Sequence, residues 1–512
     1  MALSAGIVMA GVLLSRILGF LRDWIVARQV GSNAVTDAYY AAFTLPDFLN
    51  HLVLGGSLSL TFIPVFSKYL AEHREEEGWR VFSTVVTVMG SMVLVLVALG
   101  ELFAPQLVPL LAPGFDPEQK ARVVFLTRLM LPAQVCFYLG SILSAVQYAK
   151  GQFLVPSLAP VIYNLGIILG GILLAPRYGI TGFAVGVLGG ALAGNLLLQW
   201  YGATRAGVRF HPNVDVLHPG FKLFIKLSLP IMLALSLVFA DDWVLRGFGS
   251  YLAPASITWM SYAKTLMRVP LGVVGQAIGV ASFPVLAQFY SEKKLGEMNH
   301  ALNATLKGTV LLLVPIGALT MAQSRPLVHL IFSHTRLTGP DLDAVAATLV
   351  CFSLGMFAWG VQNILARAFY AMRDTVTPAV TGTALMLLNL PVYWWLVREG
   401  RHLGLALASS IGIVAYMVVL FALLVRRTGN PEAGHLAAFF LRVSASSAVA
   451  AVATYALVNW LEPRLGWYTL SSAFLTLVIA SSVGFVLTAA VAKLMRVREF
   501  ETYAARILGR TS

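Results

Sequence analysis

Charge is scarce in this chain. Only 12% of its residues are Asp, Glu, Lys or Arg, about half the share in a soluble domain. That shortage excludes an ordinary soluble enzyme, because nothing remains to solvate a surface of this length. Cysteine is almost missing: Cys136 and Cys351 are the two present, both inside apolar segments. Disulfide scaffolds and thiolate metal sites are excluded, and the pair reads as small buried hydrophobes. Long polar stretches are also lacking. The longest, from Arg205 to Pro219, is a loop and leaves no soluble domain for a separate active site. No basic region precedes the first apolar run, and Arg16 interrupts it, so the expectation is a retained span rather than a cleaved signal.

What is there is hydrocarbon. Hydrophobic residues make up 58% of the chain and mean hydropathy is +0.79. Apolar windows long enough for a bilayer recur throughout. Fourteen helices are predicted, near 3–28, 34–66, 81–111, 121–149, 153–176, 180–203, 219–247, 255–290, 301–323, 343–371, 375–397, 403–425, 436–460 and 470–494. The net charge of +13 does not point to nucleic acid, because the cations are spread over short loops. Eighteen Lys and Arg fall on the side of the termini against nine in the opposite loops, which predicts cytoplasmic termini.

The chain also reads as one half written twice. Asp23-Trp24 with Phe62-Ile63-Pro64-Val65 is echoed by Asp242-Trp243 with Phe283-Pro284-Val285. Tyr148-Ala149 with Pro156 is echoed by Tyr370-Ala371 with Pro378, and Gly182-Phe183-Ala184 by Gly404-Leu405-Ala406. All lie about 220 residues apart, the plan of a duplicated transporter whose site lies between its repeats. The domains predicted are 1–210 (helices 1–6), 211–430 (helices 7–12) and 431–512, two added helices and a tail. Pro46, Gly55-Gly56 and Pro64 are expected to break helix 2, and Pro270, Gly272 and Gly275 to break helix 8. Paired breaks of this kind mark a transport site.

Nine cations remain within the predicted spans: Arg16, Arg22, Arg28, Arg128, Lys264, Arg268, Lys307, Arg367 and Arg442. Each costs about 2.5–3.5 kcal/mol at the bilayer centre unless it reaches water, a partner or the interface. Arg28, Lys307 and Arg442 lie near helix ends, where snorkelling accounts for them. Arg16 and Arg22 are deeper. They form either structural pairs with Asp23 or a cationic wall for an anionic ligand. Arg suits the latter because its planar fork grips phosphate. Lys264 and Arg268 repel at their i,i+4 spacing, which an anion between them would relieve, as would Asp241 and Asp242. Arg367 is divided between ligand contact and interhelical bonding, and Asn164 and Asn389 read as interhelical glue. His51 reads as a polar residue lining a cavity.

Ser15-Arg16-Ile17-Leu18-Gly19-Phe20-Leu21-Arg22-Asp23, then Thr36-Asp37-Ala38-Tyr39-Tyr40 and Leu45-Pro46, resembles the MurJ (MviN) family of lipid II flippases. Phe62-Ile63-Pro64, Pro160-Val161-Ile162-Tyr163-Asn164 and Arg367-Ala368-Phe369-Tyr370-Ala371 extend the resemblance along nearly the whole chain. That family sits in the MOP superfamily with the MATE and Wzx transporters. The resemblance implies an all-α polytopic membrane protein with two pseudo-symmetric six-helix lobes plus two C-terminal helices around a central cationic cavity. It implies alternating access, carrying undecaprenyl-diphosphate-linked peptidoglycan precursor from the inner to the outer leaflet of a bacterial cytoplasmic membrane. The two added helices would form a groove for the polyprenyl tail. Arginines matching Arg16 and Arg22 line the cavity in that family, and an aspartate matching Asp37 is important.

The chain departs from the family pattern in two places. Asn50-His51 stands where relatives often carry Arg-Arg, and Thr265 where many carry a cavity arginine, with Lys264 and Arg268 beside it. The substrate-binding set expected is Arg16, Arg22, Asp23, Asp37, His51, Lys264, Arg268 and Arg367. No cofactor, metal or catalytic residue is expected. The membrane potential or a monovalent ion is the candidate driving force. The expected state is a monomer, with the cell-wall synthesis machinery as a candidate contact. The competing readings are a flippase for O-antigen or capsule units, a MATE-type antiporter, and a membrane enzyme acting on polyprenyl phosphates. The cations speak against the antiporter, and the enzyme lacks a convincing cluster of catalytic groups.

Overall fold

The structure, a computed structural model, describes residues 2–54, 57–238, 240–495 and 497. Every regular element among them is helical, as lipid demands of a chain that must satisfy its own backbone. The chain is an all-α polytopic membrane protein. Nine helices among the described residues are long and apolar enough to cross a bilayer. Two compact units divide it, Met1–Thr258 and Trp259–Ser512.

The first unit runs α1 (Ala2–Gln29), α2 (Ala34–Ala42), α3 (Thr44–Leu49), a π-helical turn (Asn50–Leu54), α4 (Ser57–Ala71), α5 (Glu75–Leu111), α6 (Pro117–Met130), α7 (Ala133–Ala149) and α8 (Leu154–Tyr178). It continues through α9 (Thr181–Gly190), a second π-helical segment (Ala191–Leu197), α10 (Leu198–Arg205), α11 (Pro219–Val238) and α12 (Ala240–Gly249). Its aromatic core joins Phe62, Phe66, Trp79, Phe82, Tyr138 and Phe224, all nearly fully buried. Phe62 and Phe66 stack, and Trp79 meets Phe66 edge-on. Along α8 and α9 the backbones come too close for side chains. A Cβ on Gly170 would lie 2.5 Å from the Gly182 carbonyl oxygen, and one on Gly186 2.7 Å from that of Gly166. Small residues thus set this interface, as they do between helices in lipid.

The second helix is interrupted, as expected, but not at its prolines. Pro46 lies inside α3 and Pro64 inside α4. The chain turns at Phe43 and again through the π-helical turn at Asn50–Leu54. Gly55-Gly56 lies outside the described residues. Asn33 starts α2, its side chain accepting from the N–H groups of Val35 (2.9 Å) and Thr36 (3.1 Å). Asn33→Ala is expected to lower stability by about 1 kcal/mol, and Asn33→Asp by less; thermal melts of the purified protein read the difference.

The second unit contains most of α13 (Ser256–Ser291), then α14 (Leu295–Ala322), α15 (Ser324–Phe332), α16 (Gly339–Ala371), α17 (Val376–Thr428), α18 (Ala433–Leu465) and α19 (Leu470–Leu494). The expected break of helix 8 does not occur: α13 is continuous through Pro270 and Pro284. A membrane helix tolerates proline when neighbouring groups re-satisfy the freed carbonyl, so the Pro-Gly pattern was not enough to predict one. The two helices expected at 375–397 and 403–425 meet without a loop in α17. Arg401, at φ 51° and ψ −130°, makes the corner between them. The next turn packs tightly, since a Cβ on Gly404 would fall 1.9 Å from the Leu396 carbonyl oxygen. The added helices dock on this unit, α18 against α14 and α19 against α18. Of the tail cations, Lys493 ends α19, whereas Arg496, Arg498, Arg506 and Arg510 lie outside the described residues.

Candidate functional site

In the first unit the site is built on α1. Asp23 is 4% exposed, and a carboxylate taken that far from water needs a partner. Arg22 supplies it. Its Nε donates to Asp23 Oδ1 at 3.0 Å, and Nη2 stands 2.9 Å from the same oxygen. Tyr40 donates its hydroxyl to that oxygen at 3.5 Å. Two guanidinium nitrogens on one oxygen leave the outer edge of the fork uncommitted to Asp23. A quarter of the Arg22 side chain remains accessible. The arrangement holds a guanidinium in place while leaving part of it open, which suits a phosphate oxygen. Arg16 is exposed two turns earlier on the same helix. Below it, Asn164 of α8 donates to the Ser15 carbonyl oxygen (3.4 Å) and hydroxyl (3.3 Å), as the interhelical reading expected.

Asp37 is 2% exposed. Its Oδ2 accepts from the Ala255 N–H at 2.7 Å, and its Oδ1 from the Thr258 N–H (2.8 Å) and hydroxyl (2.6 Å). It therefore caps the first turn of α13 from 221 residues away in sequence. Ala255 takes the left-handed region, φ 79°, to present its N–H. Asp37 belongs to the substrate-binding set expected from sequence; here its carboxylate is engaged with main chain and with the Thr258 hydroxyl.

His51 lies in the π-helical turn, its ring 6.5 Å from that of Trp243. A pair that the sequence reading missed stands one turn before it. Arg246 Nη1 reaches Asp47 Oδ2 at 3.0 Å, and Phe48 meets Trp243 edge-on at 5.3 Å. The available signal was Asp47 itself, an acid after Pro46 in an apolar stretch.

In the second unit, Lys264 and Arg268 share α13 but not an environment. Lys264 is 5% exposed, its ammonium 5.8 Å from the Phe352 ring and 5.7 Å from the Trp359 ring. Arg268 is exposed one turn on. Arg367 of α16 donates from Nε to Asn363 Oδ1 at 2.9 Å and lies over Gly279 of α13, where a Cβ would be 3.2 Å from that nitrogen. Asn389 donates to the Ala408 carbonyl oxygen, the glue expected of it. Among the described residues no group of His, Cys, Asp and Glu could hold a metal ion.

The family model described as "Lipid II flippase MurJ" matches residues 26–479. The chain belongs to the MurJ family. It is 26% identical over 459 residues to the lipid II flippase MurJ of Burkholderia cenocepacia, with 88% of each chain covered. It is 27% identical over 410 residues to the probable lipid II flippase MurJ of Thermotoga maritima, covering 80% of this chain and 82% of that one. Among solved structures, lipid II flippase MurJ in an inward closed conformation aligns with a TM-score of 0.78 at 22% identity, over 98% of this chain and 99% of that one. An inward-facing MATE multidrug transporter of the MOP superfamily aligns at 0.66 and 15% identity, over 81% and 94%. The fold is thus shared with both structures, and the MurJ alignment spans nearly all of this chain.

Proposed function

We propose that this MurJ-family chain moves lipid II, the polyprenyl-diphosphate-linked peptidoglycan precursor, from the inner to the outer leaflet of a bacterial cytoplasmic membrane by alternating access. The observation that carries this reading is the family match along residues 26–479. Moving a diphosphate sugar through hydrocarbon requires fixed cations in place of lost hydration, and no bond need be made or broken. The open edge of Arg22, held by Asp23, is the group best placed to receive a phosphate oxygen; Arg16, Arg268 and Arg367 are further contacts. Lys264 supplies positive field from its buried position, and His51 lines the path. Asp37 contributes by fixing the start of α13.

In this reading both termini are cytoplasmic, the chain works as a monomer, and no cofactor takes part. The membrane potential acts on the charged carrier, since one charge crossing it is worth about 2.3 kcal/mol per 100 mV. An unchanged flipping rate after the potential is collapsed would remove that coupling. The function is tested by replacing the lipid II flippase of a depletable bacterial strain with this chain and measuring lipid II at the cell surface. Rescue is the expected result. A well-inserted chain that fails to rescue, but moves another lipid-linked glycan in reconstituted vesicles, would assign it to O-antigen or capsule units instead.

A further inference from the structure

Tyr39 carries a hydroxyl that its packing does not explain. The residue lies on α2 and is 1% exposed. Its ring stands edge-on to Tyr40 at 5.5 Å and to Phe43 at 5.1 Å, and 6.3 Å from the Phe183 ring of α9. Those contacts account for the ring. They do not account for the hydroxyl, which is sealed from water and has no hydrogen-bond partner among the described residues. Another buried phenol of the same unit is paired: Tyr138 donates to the Val85 carbonyl oxygen at 2.8 Å. Buried polar groups are nearly always bonded, and an exception in a native fold asks for a reason.

Its surroundings supply one. Tyr39, Tyr40 and Tyr163 stand within electrostatic reach of the Arg22 guanidinium. A guanidinium has five N–H donors and no acceptor, so it offers nothing to the Tyr39 proton. Asp23 Oδ1 accepts from Arg22 at 3.0 Å and from Tyr40 at 3.5 Å, but Tyr39 makes no bond to it. A hydroxyl that needs an acceptor thus stands near a cation whose outer edge suits an anion. Phosphate brings several acceptor oxygens and meets both needs at once. Because the hydroxyl is covered here, that bond forms only when loading of the site shifts α2 or its side chains. A contact made in the loaded state alone favours that state. The same helix carries Asp37, two residues earlier, which holds the Thr258 N–H of α13 at 2.8 Å.

We propose that the Tyr39 hydroxyl is a second donor to the phosphate oxygens received at Arg22, a positioning residue that is paired only when the site is loaded. This rests on the reading of Arg22 as a phosphate contact. Calorimetric titration of the full chain in detergent with geranylgeranyl diphosphate tests it, with geranylgeraniol as the reference for binding by the tail alone. Thermal melts without ligand run beside it. The wild type is expected to bind the diphosphate far more tightly than the alcohol. Tyr39→Phe is expected to weaken diphosphate binding about tenfold and to leave alcohol binding and the ligand-free melting temperature unchanged, because no bond is lost in the empty protein. Tyr138→Phe, which does lose a bond, is expected to show the reverse: a lower melting temperature with diphosphate binding intact. Undiminished diphosphate binding in Tyr39→Phe would overturn the proposal. So would a ligand-free melting temperature lowered as in Tyr138→Phe, since the hydroxyl would then be paired before any ligand arrives. A wild type that prefers neither ligand would remove the phosphate reading of Arg22 itself and this proposal with it, an outcome distinct from a wild-type preference that Tyr39→Phe leaves intact.

Discussion

Arg22→Ala is expected to abolish lipid II transport while Arg22→Lys retains a fraction of it. Alanine removes a charge-assisted donor worth about 1.5–3 kcal/mol, or roughly tenfold to 150-fold in affinity for a phosphate. Lysine keeps the charge and loses the planar fork. The single alanine variant carries a second effect. It also takes from buried Asp23, 4% exposed, the guanidinium that stands 2.9 Å from it, and breaking a buried ion pair costs about 3–5 kcal/mol. A fall in transport could then follow from a fall in folded protein. The double variant Arg22→Ala/Asp23→Ala separates the two, because it removes the buried carboxylate along with the guanidinium. It is expected to recover normal membrane levels and melting temperature while remaining inactive. Surface-accessible lipid II in the depletion strain, at matched membrane levels, is the readout. An active double variant would reduce Arg22 to a structural partner of Asp23 and take it out of ligand binding.

The Arg22–Asp23 pair was legible in the sequence because its signal is local. Two charges stand in an apolar helix, and the cost of burying them forces a partner or a ligand. The long spans were legible for the same reason: α5, α8, α14, α18 and α19 are continuous apolar runs. What escaped was whatever depends on a distant partner or on which face a helix presents. Lys264 and Arg268 read as a matched i,i+4 pair, yet α13 lays one against Phe352 and Trp359 and leaves the other exposed. Pro270 read as a break because proline removes one N–H, but the bundle around α13 decides whether that loss bends the helix. The Arg246–Asp47 pair joins residues 199 apart, and nothing at either position names the other.

Asp37 is the sharpest case. Its partners are two main-chain N–H groups and the Thr258 hydroxyl, none marked in the sequence as belonging to Asp37, and the family resemblance implied only that an aspartate there is important. From the bonds themselves, Asp37→Ala is expected to lose most transport and to lower stability by several kcal/mol. Three donors lose a charged acceptor, each such bond being worth about 1.5–3 kcal/mol. The two N–H groups are at buried residues, Ala255 and Thr258, where water does not readily replace the carboxylate. Asp37→Asn is the more telling variant. The amide can accept from Thr258 through one oxygen, but its NH2 then faces the Ala255 N–H, donor against donor. Asn is therefore expected to recover only part of the loss. A role confined to balancing the charge of neighbouring arginines gives a different pattern, with Asn as damaging as Ala for transport and both near wild type in stability. Hydrogen exchange at Ala255 and Thr258 decides between them. Faster exchange in Asp37→Ala, confined to the first turn of α13, is the result expected of a cap. Unchanged exchange there with lost transport would return Asp37 to the charge-balancing role.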